Sequence, residues 1–590
     1  MSISSSFPSI SPSLNLDFAK SKSLDPRITF TRAQTGNIAT YTGSDGLIKY
    51  AGPNAPRFDH KQTFRTNLLT YSEQMDQKGQ VEVNVTTNVI SAPDGSSTAD
   101  LIQETTSNNQ HNIQQGAATV VGGLHTVSVY AKAYSSNRVL RMATYKVDNP
   151  VGTDTAYLFN LNTGVATFVG GVSGGMEYAG DGWYRCYVTT GNINAGTGVY
   201  FGIAETNGVF IYIGDGSSGF YLWGAQLEAS DAPTAYIATG PSAVTRTATE
   251  SLGLLIEESR TNLVTYSQDF TQSIWQSASN RATCDNTTGI DDPSGGTTAS
   301  RWSSGTSAGQ ELIYRQTGTS AGTLTGETCT KSIWIRRVSN DGSVSFFLGD
   351  NVGNVVNSQL DSVPVGTWVR CSITRTIVGN NGDTRNYIAV YPGTNGQPTT
   401  IDIWGDQFEI GSFPTSYIPT SGSSVTRPVD SCGIAASQMS GWFNSDNFSM
   451  TIEAESSGST PGVGRAIWGI SDGGSFNNSM YLTLPENNNT VTLSMVTGGT
   501  GQGTLAFDSV FDKNTVYNLG FGVANADRVT VNGGAVTNSI SSGTLASEYN
   551  QFNIGSGWSL GAARQGRATI SKLTYYPKRI TNSQLQILTK

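Results

Sequence analysis

Tyr221-Leu222-Trp223-Gly224-Ala225-Gln226-Leu227-Glu228 returns later in the chain as Asp402-Ile403-Trp404-Gly405-Asp406-Gln407-Phe408-Glu409. Three more landmarks keep the same order around it. Arg65-Thr66-Asn67-Leu68-Leu69-Thr70-Tyr71-Ser72 returns as Arg260-Thr261-Asn262-Leu263-Val264-Thr265-Tyr266-Ser267, and Trp183-Tyr184-Arg185-Cys186 as Trp368-Val369-Arg370-Cys371. Ala235-Tyr236-Ile237 through Val244-Thr245-Arg246 returns as Ser416-Tyr417-Ile418 through Val425-Thr426-Arg427. Self-similarity in a fixed order marks an internal duplication, so residues 65–246 and 260–427 are two copies of one module.

Between the landmarks each copy reads as strands. Thr126-Val127-Ser128-Val129-Tyr130-Ala131 alternates polar and apolar residues, the period of a half-buried strand, and its counterpart is Lys331-Ser332-Ile333-Trp334-Ile335. Asn207-Gly208, between two apolar runs, is a hairpin turn, and Asp94-Gly95, Asp181-Gly182, Asp215-Gly216 and Asp341-Gly342 are further turn signals. Many short strands without helical periodicity predict an all-β chain of tandem antiparallel β-sandwiches, jelly-roll type. Four segments follow: a leader at 1–64, repeat 1 at 65–246, repeat 2 at 247–428 and a third sandwich at 429–590. In the last, Phe448-Ser449-Met450-Thr451-Ile452-Glu453-Ala454 and Val491-Thr492-Leu493-Ser494-Met495 alternate as strands. After Pro577 a short helix is expected, with Thr581 as cap, Gln584 completing a capping box, and Leu585 and Leu588 packing back on the sheet.

Composition narrows the function classes. Of 590 residues only 13% are charged, against about 25% in an ordinary soluble domain, and 68 are glycine. The net charge of −9 and the lack of any Lys/Arg cluster argue against nucleic acid as a partner. The five cysteines are scattered, without a CxxC pair, which argues against a zinc site and a disulfide framework. No apolar run is long enough to cross a bilayer, and the Ser-rich start lacks the pattern of a signal peptide. Synthesis in a cytosol without membrane insertion is the expectation.

Leu16-Asp17-Phe18, Asp25-Pro26-Arg27-Ile28-Thr29-Phe30-Thr31-Arg32-Ala33, Pro56-Arg57-Phe58-Asp59-His60 and Gly253-Leu254-Leu255-Ile256-Glu257-Glu258-Ser259-Arg260-Thr261-Asn262-Leu263 resemble a phage head-spike or head-fibre family. In that family a leader precedes a carbohydrate-binding-like sandwich that ends as Trp223–Glu228 and Tyr417–Thr420 do here. Residues 429–590, through Ile570–Leu588 above all, are similar to concanavalin A-like (laminin G-type) sandwiches. The family runs its PRFDH-like stretch on to its GLLIEE-like stretch, whereas here repeat 1 stands between them and reads as an insertion or duplication. The resemblance implies a tailed-phage virion surface protein, made in the host cytoplasm, whose leader anchors it to other virion proteins and whose sandwiches hold host surface polysaccharide. A homo-oligomer, a trimer for a fibre, is the implied assembly. A tail fibre and a capsid-decoration protein that binds nothing are the alternatives. A polysaccharide depolymerase is disfavoured, because neither a parallel β-helix repeat nor an acid cluster is visible.

Chemistry-bearing residues are sparse, and the expectation is a protein that is not an enzyme. His60, His111 and His125 lack metal or triad spacing. Glu257 and Glu258 face opposite ways if extended, and Glu453-Ala454-Glu455 lacks a third acid. No cofactor is expected beyond a structural Ca²⁺ in the Asp-Gly and Asn-Gly loops. Tryptophans at matching repeat positions, Trp183, Trp223, Trp368 and Trp404, belong to the core. Trp275, Trp442 and Trp558 have no partner in the duplication and are the candidates for stacking on sugar.

Overall fold

The computed structural model describes residues 8–116, 123–135, 137–146, 155–170, 173–191, 197–277, 283–304, 311–316, 324–339, 344–349, 354–357, 365–378, 385–390, 398–456, 465–473, 476–484, 491–507, 515–524, 527–532, 535–540, 545–546, 549–557 and 566–589. Nearly all regular structure is antiparallel strand, with two short helices among the described residues. The chain forms two compact units: Gln62–Ala248, and a discontinuous one of Met1–Lys61 with Thr249–Lys590.

Repeat 1 is a sandwich of two six-stranded sheets. One runs Ser173–Gly180, Trp183–Thr190, His125–Ala133, Gly219–Glu228, Ala99–Glu104, Val83–Ile90. The other runs Val165–Gly170, Thr155–Asn160, Arg138–Lys146, Thr197–Glu205, His111–Gly116, Gly79–Val81. Inward-facing Val127, Val129, Met142, Phe159, Phe201, Leu222 and Leu227 fill the space between them, as alternation along each strand requires. Among the described residues repeat 2 has two five-stranded sheets, and the sheet Thr283–Ile290, Ala299–Ser303, Thr400–Ile410, Thr328–Arg337, Trp368–Thr376 matches five of the six strands in the first sheet of repeat 1, all but Ser173–Gly180.

The landmark residues explain why the two copies fold alike. Asn67 and Asn262 are polar keystones. Asn262 Nδ2 donates to Asp406 O at 3.2 Å and Ile418 O at 2.9 Å, while its Oδ1 accepts from Val264 N and Phe408 N. Asn67 makes the same four bonds to Ala225, Ile237, Leu69 and Leu227. Gln226 and Gln407 bridge to Glu228 and Glu409 at 2.7 Å. Gly224 and Gly405 sit at φ +66° and +67°, opposite bulges at Ser128/Tyr130 and Ser332/Trp334, where a Cβ would press on the neighbouring ring at 3.1 Å. Trp223 and Trp404 donate through Nε1 to Thr98 and Thr298, each at 2.9 Å. These tryptophans are buried, but outside the inter-sheet core: Trp183 and Trp223 join Tyr130 and Tyr236 in a satellite cluster, as Trp404 joins Trp334 and Tyr417.

The third sandwich departs from the expected partition. Its sheets are completed by strands from far upstream. Leu14–Asp17 pairs antiparallel with Ala568–Tyr576, Ile28–Thr31 pairs with Ser431–Ala435, and Leu254–Ile256 lies against Ala568–Ile570. Leu14, Leu16, Phe18, Leu254 and Ile256 are buried in one core with Trp468, Phe521 and Phe552. The apolar residues of the leader, too few for a core of their own, find their partners in the last 160 or so residues. The terminal helix Asn582–Leu588 carries the expected capping box between Thr581 and Gln584 and buries Leu585 against Val529 and Val531.

Candidate functional site

On the outer face of the first sheet of repeat 1, Trp183, Lys132 and Tyr221 lie side by side on neighbouring strands, since Lys132 is in register with both. Outward positions on adjacent strands present their side chains to the same surface. The turns at 90–95 and 179–181 rise beside this row and enclose a cavity of about 530 Å³ lined by Ile90, Pro93, Lys132, Asp181, Trp183 and Tyr221 among others. Trp183 is 3% exposed, yet its indole N–H makes no hydrogen bond among the described residues and is not sealed from water. The side chains of Lys132, Asp181 and Ser91 and the Tyr221 hydroxyl also make no hydrogen bond or ion pair among the described residues. Burial, with Tyr134 beside it, holds the Tyr221 phenol above its ordinary pKa, so it stays a neutral hydroxyl. Tyr134, half exposed, meets Tyr221 edge-on at 5.5 Å, and the exposed Tyr178 meets Tyr184 likewise at 5.4 Å. A concave wall with apolar surface, aromatic faces and a few uncommitted polar groups can hold a polyhydroxylated ring.

The residues chosen from sequence fall elsewhere. Trp275 is 8% exposed, tilted against Phe270 at 4.6 Å between ring centroids, with its N–H directed to Tyr266 O. Trp442 is 7% exposed, wedged among Phe443, Phe552 and Tyr575, with its N–H on Gln438 O at 2.6 Å. The expectation that both offer faces to ligand is corrected: each packs in a core. Trp558 lies outside the described residues. Glu453 lines a small polar groove of about 190 Å³ with Asn15, Asn518 and Lys572. The Asp94 and Asp215 carboxylates accept from the backbone and hydroxyls of their own turns. Asp341-Gly342 lies outside the described residues, and among those described no group of three or more metal-ligating side chains occurs.

Two other polar constellations are structural in geometry. In repeat 1, Arg138 forks onto Glu104 at 2.9 and 2.7 Å and lies 4.9 Å over the Tyr212 ring, while the Tyr212 hydroxyl donates to Glu104 at 2.6 Å. Burial, then Glu104 itself, push that phenol far above its usual range, so it remains protonated. In the larger unit, the motif residues of the leader converge. Arg57 donates to Glu257 at 2.7 Å and to Asp430 at 2.5 Å, Arg32 donates to Asp430 at 3.0 Å, Arg427 meets Glu257 at 2.9 Å, and Arg567 approaches Glu257 and Asp59. Glu257 also accepts from Ser416 N and Oγ. Although burial opposes its ionisation, Arg427, Arg57 and Arg567 hold its carboxyl well below the usual range. Glu258 turns away to Arg465 and Arg260.

No protein-family model matches the chain, and no curated protein matches it. Solved structures do. The tandem CBM22-1–CBM22-2 domains of Paenibacillus barcinonensis Xyn10C are 12% identical over 60% of this chain and 98% of theirs, at a TM-score of 0.18. Domains LG4-5 of the mouse laminin α1 chain are 12% identical over 48% of this chain and 89% of theirs, at 0.16. Trypanosoma rangeli sialidase in complex with sialic acid is 10% identical over 96% of this chain and 98% of its own, at 0.22. The neighbours are β-sandwich proteins of carbohydrate-binding and laminin G kind together with an enzyme. The expectation of a non-enzyme is corrected by the last: proteins matched over nearly the whole chain are sialidases. Scores this low transfer no catalytic residue or ligand.

Proposed function

We propose that the protein binds host-surface glycan through repeat 1 and does so as a surface protein of a tailed-phage virion, a head fibre or spike. The observation that carries the binding is the cavity beside Trp183 and Tyr221, where the indole N–H, a lysine, a carboxylate and two hydroxyls all lack partners among the described residues. Polar groups kept unpaired at an apolar wall favour a ligand that is itself part hydroxyl and part C–H surface. The resemblance of Asp25–Ala33, Pro56–His60 and Gly253–Leu263 to head-spike proteins supports a place on the particle, with synthesis in the host cytoplasm and other virion proteins as neighbours. Each site alone is weak. Display in a trimer, or in many copies, raises avidity by roughly 10²–10⁴ where several sites engage together.

The test is retention of the full chain on a glycan array and on host cells, beside Tyr221→Ala. Retention of the wild type and at least a tenfold loss in the variant is the expected result; equal retention removes this cavity from the site. An antibody to residues 62–248 should decorate the heads of intact particles, and decoration of tails alone would make the protein a tail fibre.

A further inference from the structure

The duplication offers an internal comparison for the cavity. At the matching positions of repeat 2, Lys132 becomes Arg336, Tyr221 becomes Asp402, Ser91 becomes Asp291 and Leu101 becomes Arg301. There the cation is saturated. Arg336 donates to Asp402 at 2.9 Å and to Asp291 at 3.0 Å, lies 4.8 Å over the Trp368 ring, and shares Asp402 with Arg301. The adjoining turn is covered as well: Ile48 N donates to Pro293 O at 2.8 Å, and Ile48 packs with Ile290 and Trp404. Repeat 2 thus fills with its own ion network the place that repeat 1 leaves open.

In repeat 1 the cation persists while both of its carboxylates are gone. Lys132 is half-buried, with an ammonium that makes no ion pair among the described residues. The groups that replaced the two aspartates, Ser91 and Tyr221, are neutral hydroxyls, and Trp183 adds an N–H donor. Among the described residues the one acidic side chain lining the cavity is Asp181, exposed on the rim turn. We propose that repeat 1 recognises a carboxylate-bearing sugar, a uronate or a sialate, whose carboxylate takes the place that Asp402 and Asp291 hold beside Arg336 in repeat 2. The inference rests on the glycan-binding reading of the same cavity. Lys132 supplies the charge, Ser91, Tyr221 and Trp183 supply hydrogen bonds, and the Tyr221 and Tyr134 rings face the sugar's C–H surface. Charge-assisted bonds are roughly twice as strong as neutral ones, so the acidic group would dominate selectivity. Repeat 2, sealed by its own arginine, takes no ligand at this position.

The experiment uses the full chain on an array that carries uronate- and sialate-terminated glycans beside the same glycans with the carboxyl reduced to an alcohol. Acidic glycans should be retained at least tenfold better, less so as salt rises. Lys132→Ala should lose that preference and Lys132→Arg should keep it. Tyr221→Asp should abolish it while the protein stays folded, because it rebuilds the carboxylate partner that repeat 2 tolerates. Circular dichroism and melting temperature report folding independently. Retention of neutral and acidic forms alike, unaffected by Lys132→Ala, overturns the acidic-sugar inference and leaves glycan binding standing. Retention of no glycan overturns both.

Discussion

The smallest scale at which this fold is specified is a single asparagine. Asn262 is fully buried and satisfies two carbonyls and two amide N–H groups from three chain segments. Asn262→Ala orphans all four. At about 1–3 kcal/mol for each unsatisfied buried group, a loss of at least 3 kcal/mol from the unit containing repeat 2 is expected in urea denaturation. A second residue-scale test concerns pH. Lys78 is buried, its ammonium donating to Thr70 O and Gln115 Oε1, and burial pushes its pKa down to about 8. The unfolded chain holds that proton up to about pH 10.4. Between the two values the unfolded state binds more protons, so stability rises with pH. Residues 62–248 should gain stability from about pH 7.5 to 9.5, and Lys78→Met should flatten the slope. Little of this was legible beforehand. Asn67 and Asn262 were visible as repeated letters, but a keystone and a turn former look alike in sequence. Trp275 and Trp442 looked available because they had no repeat partner, and packing against residues particular to each site explains why they are not.

At the scale of elements, the strand Leu14–Asp17 behaves as part of the third sandwich. Leu16 is buried, in register with Leu573. Leu16→Asp would place an unpaired charge in that core, and the melting temperature should fall by several degrees with a loss of roughly 3 kcal/mol or more. An unchanged melting temperature would return the segment to the role of a free anchor. Alternation and turn signals made the strands themselves readable, and the capping box at Thr581 placed the last helix. Partner choice was not readable, since Leu14 meets Tyr575 with no local signal linking the two. The cavity beside Trp183 left a trace of another kind: the differences Tyr221/Asp402 and Ser91/Asp291 between otherwise matched copies mark where one module lacks the charge pair of the other.

For the whole molecule, the ion network around Glu257 ties leader, repeat 2 and third sandwich into one unit. Its members, Arg32, Arg57, Glu257, Arg427 and Asp430, are fully buried. Read singly along the sequence they look like solvated charges, which is why the network was invisible there. Removing one partner from such a network costs about 3–5 kcal/mol, so Glu257→Ala should unfold the larger unit at distinctly lower denaturant. Because the folded carboxyl titrates below its unfolded value, its contribution is complete above about pH 4.5 and fades only as pH falls further. Wild type should therefore hold its larger unit at pH 5 as firmly as at pH 7 where Glu257 alone governs the slope. The other unit, Gln62–Ala248, has its own core, and its entry and exit strands touch through Thr66 and Thr245 at 2.8 Å. Joining Lys61 to Thr249 should leave a soluble remainder with the melting behaviour of the larger unit and without glycan retention; an aggregated remainder would show that the insert is needed for folding.

The pairing of Leu14 with Tyr575 also sets a timetable for the ribosome. The strand Leu14–Asp17 is made well ahead of its partner, which emerges some 560 residues later. At roughly 5–20 residues per second, the nascent chain carries the apolar face of Leu14, Leu16 and Phe18 unpaired for about half a minute to two minutes. Repeat 1, which has a core of its own, can fold in that interval, whereas the third sandwich must close last. A chain broken off anywhere before Ala568 leaves that sandwich open, so prematurely terminated copies should be caught by chaperones and proteases.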